Sequence, residues 1–74
     1  MTDAADSSRL ERRRAILAAM LPHVPFDGWS DRTLHRAAAD ADLDPAVARL
    51  AFPGGAAEVI AFWSDEVDRA AVAA

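Results

Sequence analysis

Ala37-Ala38-Ala39-Asp40-Ala41-Asp42-Leu43-Asp44-Pro45-Ala46-Val47-Ala48 decides the fold of this 74-residue chain. Asp44 followed by Pro45 is an N-cap and first-turn pair. The carboxylate accepts an orphaned backbone N–H, and the fixed φ of proline suits the first helical position. A short helix therefore starts at Pro45 and places Val47, Leu50 and Ala51 on one side. Upstream, Leu34, Ala37, Ala38 and Ala41 recur at helical spacing behind a cap at Ser30 or Asp31, and their small size lets another helix approach closely. Only Asp42 and Leu43 separate the two helices, so the chain bends sharply, as in a helix-turn-helix. Asp42 stands where such a turn usually has glycine, and aspartate is among the few residues that tolerate the left-handed conformation.

Working outward, Phe52-Pro53-Gly54-Gly55 ends that helix, and a fourth runs from about Ala56 to near the end. Its apolar stripe is Val59, Ile60, Trp63, Val67 and Ala70 or Ala71, widened by Phe62. Asp65 and Arg69 are spaced for a surface ion pair. On the other side, Ser8-Arg9-Leu10-Glu11 reads as a capping box that opens a first helix. Leu10, Ile16, Leu17, Met20 and Leu21 continue it at helical spacing until Pro22 stops the hydrogen-bond ladder. The segment Pro22 to Trp29 is too punctuated by proline and glycine for regular structure. It carries Val24, Phe26 and Trp29, which are costly to leave in water, so it reads as a loop pinned into the core. The expected organisation is a disordered N-terminus over 1–7 and one helical domain over 8–74.

Composition agrees with an all-α fold. Alanine occupies 19 positions and tyrosine none; alanine loses no side-chain entropy in a helix, and strands have little to build on. No cysteine is present, so stability rests on packing alone, and a core this small supplies only about 3–5 kcal/mol. The net charge of −4 is unevenly placed. Residues 9–21 carry four Arg against one Glu, whereas 56–74 carry four acids against one Arg. An acidic chain lacks the clustered cations that non-specific nucleic-acid binding needs. No run approaches the roughly 18 consecutive apolar residues of a spanning helix, and the start of the chain has no basic leader.

A DNA-reading third helix presents Arg, Lys, Asn, Gln, Ser or Thr to phosphates and base edges. This one offers Pro45, Ala46, Val47, Ala48, Arg49 and Leu50, with Asp40, Asp42 and Asp44 beside it, so it reads as a degenerate recognition helix that serves as scaffold. Arg12, Arg13 and Arg14 point about 100° apart around their helix and read as a solvated face, with contact to anionic lipid or nucleic acid as the alternative. His23 and His35 lack metal-ligand spacing. A local hydrogen bond from His35 to Asp31 accounts for one, and exposure to water for the other. No nucleophile, base and orienter can be assembled, so no catalysis and no cofactor are expected. Phe26 and Trp29 read as core. Phe62, Trp63 and Val67 lie on the last helix and read as an interface if exposed.

The run Leu21-Pro22-His23-Val24-Pro25-Phe26-Asp27-Gly28-Trp29-Ser30, together with Phe52-Pro53-Gly54-Gly55, resembles the ubiquinone-biosynthesis accessory family. The helix order, the Gly28-Trp29 pair and Ala51-Phe52-Pro53 are similar to the DNA-binding head of TetR-type regulators, whose fold that family keeps. The resemblance covers about residues 9–70. It implies a non-catalytic, lipid-binding protein whose ligand is an isoprenoid quinone or a phospholipid and whose partner is the demethoxyubiquinone hydroxylase. It also implies a homodimer in the cytoplasm, in peripheral contact with the inner face of the bacterial membrane. The family's lipid cavity and membrane-contacting helix lie in a C-terminal part beyond the matched region. Two other readings stand beside it: a TetR-type DNA-binding transcriptional regulator, and a small helical interaction domain that dimerises through its last helix.

Overall fold

A computed structural model describes residues 3–73. They form α1 (Asp3–Met20), α2 (Val24–Asp27), α3 (Asp31–Asp40), α4 (Pro45–Ala51) and α5 (Ala56–Ala73). Among the described residues there is no strand, and no single helix is long and apolar enough to cross a membrane. The fold is all-α, as composition and periodicity predict.

α1 begins at Asp3, not at Ser8, so the described part of the 1–7 segment is helical where disorder was expected. Met1 and Thr2 lie outside the described residues. The Ser8–Glu11 pattern is helix interior here. Ala4 and Ala5 are the best helix formers, and two serines do not oblige a helix to start where it can pass through. The buried side of α1 is Ile16, Leu17 and Met20, packed on Leu34, Ala37 and Ala38 of α3, Ala48 and Ala51 of α4, Phe52, and Ala56 and Val59 of α5. Alanines on α3 and α4 bring the helices close, and Phe52, fully buried, fills the space that they leave.

The segment after Pro22 is not an irregular loop: Val24–Asp27 makes one helical turn with Pro25 in its first two positions, where a missing N–H costs nothing. Gly28, at φ 75°, closes the turn by donating to Val24 O at 2.8 Å. Val24 and Trp29 pack against the core, but Phe26 is 88% exposed, contrary to the core role expected of it. A single turn can aim only part of its apolar set inward, and Trp29 has a ring on α5 to meet while Phe26 has none.

Ser30 is the N-cap of α3. Its Oγ accepts the Thr33 N–H at 3.2 Å and lies 2.9 Å from Thr33 Oγ1, which satisfies a hydroxyl buried in the core. Asp31 is thereby free for a longer reach, accepting the Ala56 N–H at 3.0 Å and so tying the start of α3 to the start of α5. Gly55 (φ 71°) sits under this contact: a Cβ there would lie 2.6 Å from Asp31 Oδ1.

The α3–α4 corner closes as a Schellman motif. Leu43 N–H donates to Ala38 O at 2.8 Å, Asp42 N–H donates to Ala39 O at 3.1 Å, and Asp42 holds φ 60° between them. Leu43 then turns inward against the core. Asp44 Oδ1 accepts the Ala46 N–H at 2.8 Å, capping α4 as its sequence demands. A left-handed aspartate is tolerated at a cost, so Asp42→Gly is expected to stabilise the chain by about 0.5–1 kcal/mol despite the greater freedom of its unfolded state. The check is a urea midpoint that rises with an unchanged slope.

α4 buries Ala48 and Ala51 rather than the Val47, Leu50 and Ala51 side expected: Val47 is half-buried and Leu50 is 75% exposed. The alanines set this rotation, because only they admit α1 and α3 at close range. Phe52–Gly55 then bends the chain by 58° between α4 and α5.

Candidate functional site

Three surfaces hold the residues that the sequence singles out. The first is the outer side of α4. Pro45, Ala46, Arg49 and Leu50 are exposed, Val47 is half-buried, and Ala48 belongs to the core. The exposed carboxylates of Asp40, Asp42 and Asp44 border this side where α3 hands over to α4. Arg49 is the one cation of α4, and it lines a shallow cleft with Asp31 and His35 beside the Phe52–Gly55 turn. A phosphate backbone would meet three acids for each guanidinium here, and apart from Arg49 the α4 side chains Pro45 to Leu50 have nothing to donate to a base edge.

The histidines take other partners than expected. His23, half-buried rather than facing water, sets Nε2 at 2.6 Å from Asp40 Oδ2 and ties the α1–α2 turn to the end of α3. Asp31 is spent on Ala56, and His35 is exposed at the rim of the cleft with Arg49.

The second surface is the seam between α1 and α5, where the expected solvated arginine face divides. Arg12 is exposed. Arg13 is not: its guanidinium lies over the rings of Phe52 and Phe62, 4.8 and 4.6 Å from their centroids. Its Nη2 donates to Glu58 Oε2 at 3.2 Å, while its buried Nε has no partner. Delocalised charge over two ring faces is the arrangement in which an arginine is best held away from water. The signal for this was in the sequence: Leu10, Arg13, Leu17 and Met20 share one helical phase, so Arg13 stands on the apolar stripe. Arg14 reaches further along α5, donating through Nε to Glu66 Oε1 at 2.6 Å. That hydrogen bond holds the Glu66 carboxyl below its ordinary range and raises the arginine.

The third surface is the apolar stripe of α5. Phe62 is half-buried and meets Phe52 edge-on, with centroids 5.8 Å apart. Trp63 rests against Trp29, with centroids 5.5 Å apart and a tilt of 35°, yet stays 38% exposed. Val67 is half exposed and Val72 almost wholly so. Of the three interface candidates, Phe62 is therefore committed inward, Trp63 is divided, and Val67 faces outward. Asp65 and Arg69 form the expected surface pair at 3.2 Å.

Comparison with protein-family models, with curated proteins and with solved structures finds no match to this chain.

Proposed function

We propose that this chain is the TetR-like N-terminal region of a non-catalytic, lipid-binding accessory protein of ubiquinone biosynthesis. In this reading the helix-turn-helix formed by α3 and α4 has become scaffold. The head positions α5, whose outward stripe meets the part of the protein that holds an isoprenoid quinone or phospholipid for the hydroxylase, in a homodimer peripheral to the membrane. The observation that supports it is the outer side of α4, which keeps the corner of a base-reading element, left-handed turn residue included, while presenting one arginine beside three aspartates.

Lipid mass spectrometry of organic extracts from the full gene product is the test. The expected result is a co-purified isoprenoid or phospholipid at a level comparable to the protein, and extracts free of any such lipid sink the reading. A gel-shift series across salt concentration examines the regulator alternative. Tight, sequence-selective binding with a steep salt slope would put the regulator in its place.

A further inference from the structure

The ion pairs among the described residues leave out Arg32 and Arg49, in a chain that has twelve acids for eight arginines. These two stand on either side of His35. Arg32 precedes it by three positions on α3, which makes the two side chains neighbours on one face, and Arg49 of α4 shares with it the cleft beside the Phe52–Gly55 turn, of about 370 Å³. All three are exposed. Arg49 opens on the α3 side of α4, whereas α1 runs along the other side, where Arg9 and Arg12 line a groove with Leu50 and Ala51.

The other polar groups of the cleft are engaged within the fold. Asp31 Oδ1 accepts the Ala56 N–H at 3.0 Å. The Gly54 N–H donates to Glu58 Oε1 at 2.7 Å and the Gly55 N–H to Phe52 O at 2.9 Å. Leu34 and Phe52, both buried, close the cleft from beneath. A ligand would therefore meet two guanidinium groups and an imidazole, which carries an N–H in either protonation state.

We propose that this cleft binds a soluble phosphate monoester, held by Arg32, His35 and Arg49. Three donors around one point match the three terminal oxygens of a phosphate, where a carboxylate presents two. A single phosphate also avoids the acids of the α3–α4 corner. Asp40 lies five residues beyond His35, and Asp44 five before Arg49, each a rise of about 7.5 Å toward the far end of its helix. A nucleic-acid backbone continuing along this face would run against Asp40, Asp42 and Asp44. Asp31 Oδ2 is left to accept a hydroxyl from the organic part of the ester, which favours a polyol phosphate over inorganic phosphate. The site lies apart from the outward stripe of α5 and depends on neither the lipid-holding reading nor the regulator alternative.

Nitrogen–proton NMR spectra of the 74-residue chain test it, as glycerol phosphate replaces chloride at neutral pH and fixed ionic strength. Signals of His35, of the Arg32 and Arg49 side chains and of the Gly54 and Gly55 backbone should shift together and saturate with a dissociation constant of about 1–10 mM. Inorganic phosphate should bind about threefold more weakly for want of the hydroxyl, and acetate at least about tenfold more weakly. Arg49→Gln and His35→Ala should each weaken binding at least about fivefold, and Arg32→Gln about threefold, because each removes a donor. Arg12→Gln, on the far side of α4, should leave it within about twofold. The four positions are exposed, so the variants keep the fold, which signal dispersion confirms. Shifts that fail to saturate by about 50 mM, that spread equally over arginines outside the cleft, or that survive both Arg49→Gln and His35→Ala would overturn the proposal. Acetate that binds as tightly as phosphate would do the same. So would a chain that ignores glycerol phosphate yet sediments with phosphatidate-containing vesicles or binds a DNA duplex, since the anion would then belong to a surface or a polymer.

Discussion

Phe52→Ala is expected to leave the chain largely unfolded at 25 °C. Phe52 is the largest fully buried side chain, set where α4 ends and the chain bends into α5. It touches Phe62 edge-on and carries the Arg13 guanidinium over its face. Its neighbours from α3, α4 and α5 in the core are mostly alanines, which cannot lengthen to refill the space, so the cavity left by truncation stays open. Phenylalanine-to-alanine changes in such cores cost about 3–5 kcal/mol, and a single core of this size supplies about the same amount in total. At roughly 4–8 °C of melting temperature per kcal/mol, the loss amounts to tens of degrees. Thermal melts followed by far-UV circular dichroism read it directly, with Leu50→Ala, exposed and expected to stay within about 0.5 kcal/mol of wild type, as the control. A Phe52→Ala variant that melts beside the control would mean that the core is not where the structure puts it.

What could be read from the sequence was what is decided within one helical turn. The Asp44-Pro45 pair acts on the N–H two residues ahead, so its cap was visible without the fold, and the cap of α3 was narrowed to Ser30 or Asp31, of which Ser30 takes the Thr33 N–H. The left-handed Asp42 was readable for the same reason, since the two-residue gap between helices leaves no other way to close the corner. What was not readable depends on neighbours distant in sequence. Phe26 and Trp29 are alike in hydrophobicity and lie three apart. Only the presence of Trp63 across the fold decides that Trp29 is covered and Phe26 is not.

The candidate site divides in the same manner. The poverty of donors on α4 is a matter of composition and was evident, whereas the loss of Ala48 to the core depends on how closely α1 and α3 approach. Arg13 is the instructive case. Its neighbours Arg12 and Arg14 suggested a charged face, yet its helical phase with Leu10 and Leu17 argued for burial, and the ring pair of Phe52 and Phe62 settles the contest in favour of phase.

That burial has a consequence for the ion pair across the seam. Glu58 holds two groups at once: Oε2 receives the Arg13 guanidinium at 3.2 Å and Oε1 receives the Gly54 N–H at 2.7 Å. Glu58→Ala therefore removes a cap at the start of α5, worth about 1 kcal/mol, and leaves a cation between two rings with no countercharge. The pair is only partly withdrawn from water, so the second effect is smaller than for a fully buried pair, and about 2–3 kcal/mol is expected in all. Arg13→Met should behave quite differently. Methionine fills the slot between the rings with a polarisable thioether and eliminates the unpartnered Nε, and Glu58 keeps both its access to solvent and its hold on Gly54. That variant is expected within about 1 kcal/mol of wild type. The double variant should then cost little more than the cap, because no stranded cation remains. Urea denaturation of the four proteins completes the cycle. An Arg13→Met variant as unstable as Glu58→Ala would show that the charge itself holds the seam together, and that the guanidinium is there for more than its bulk.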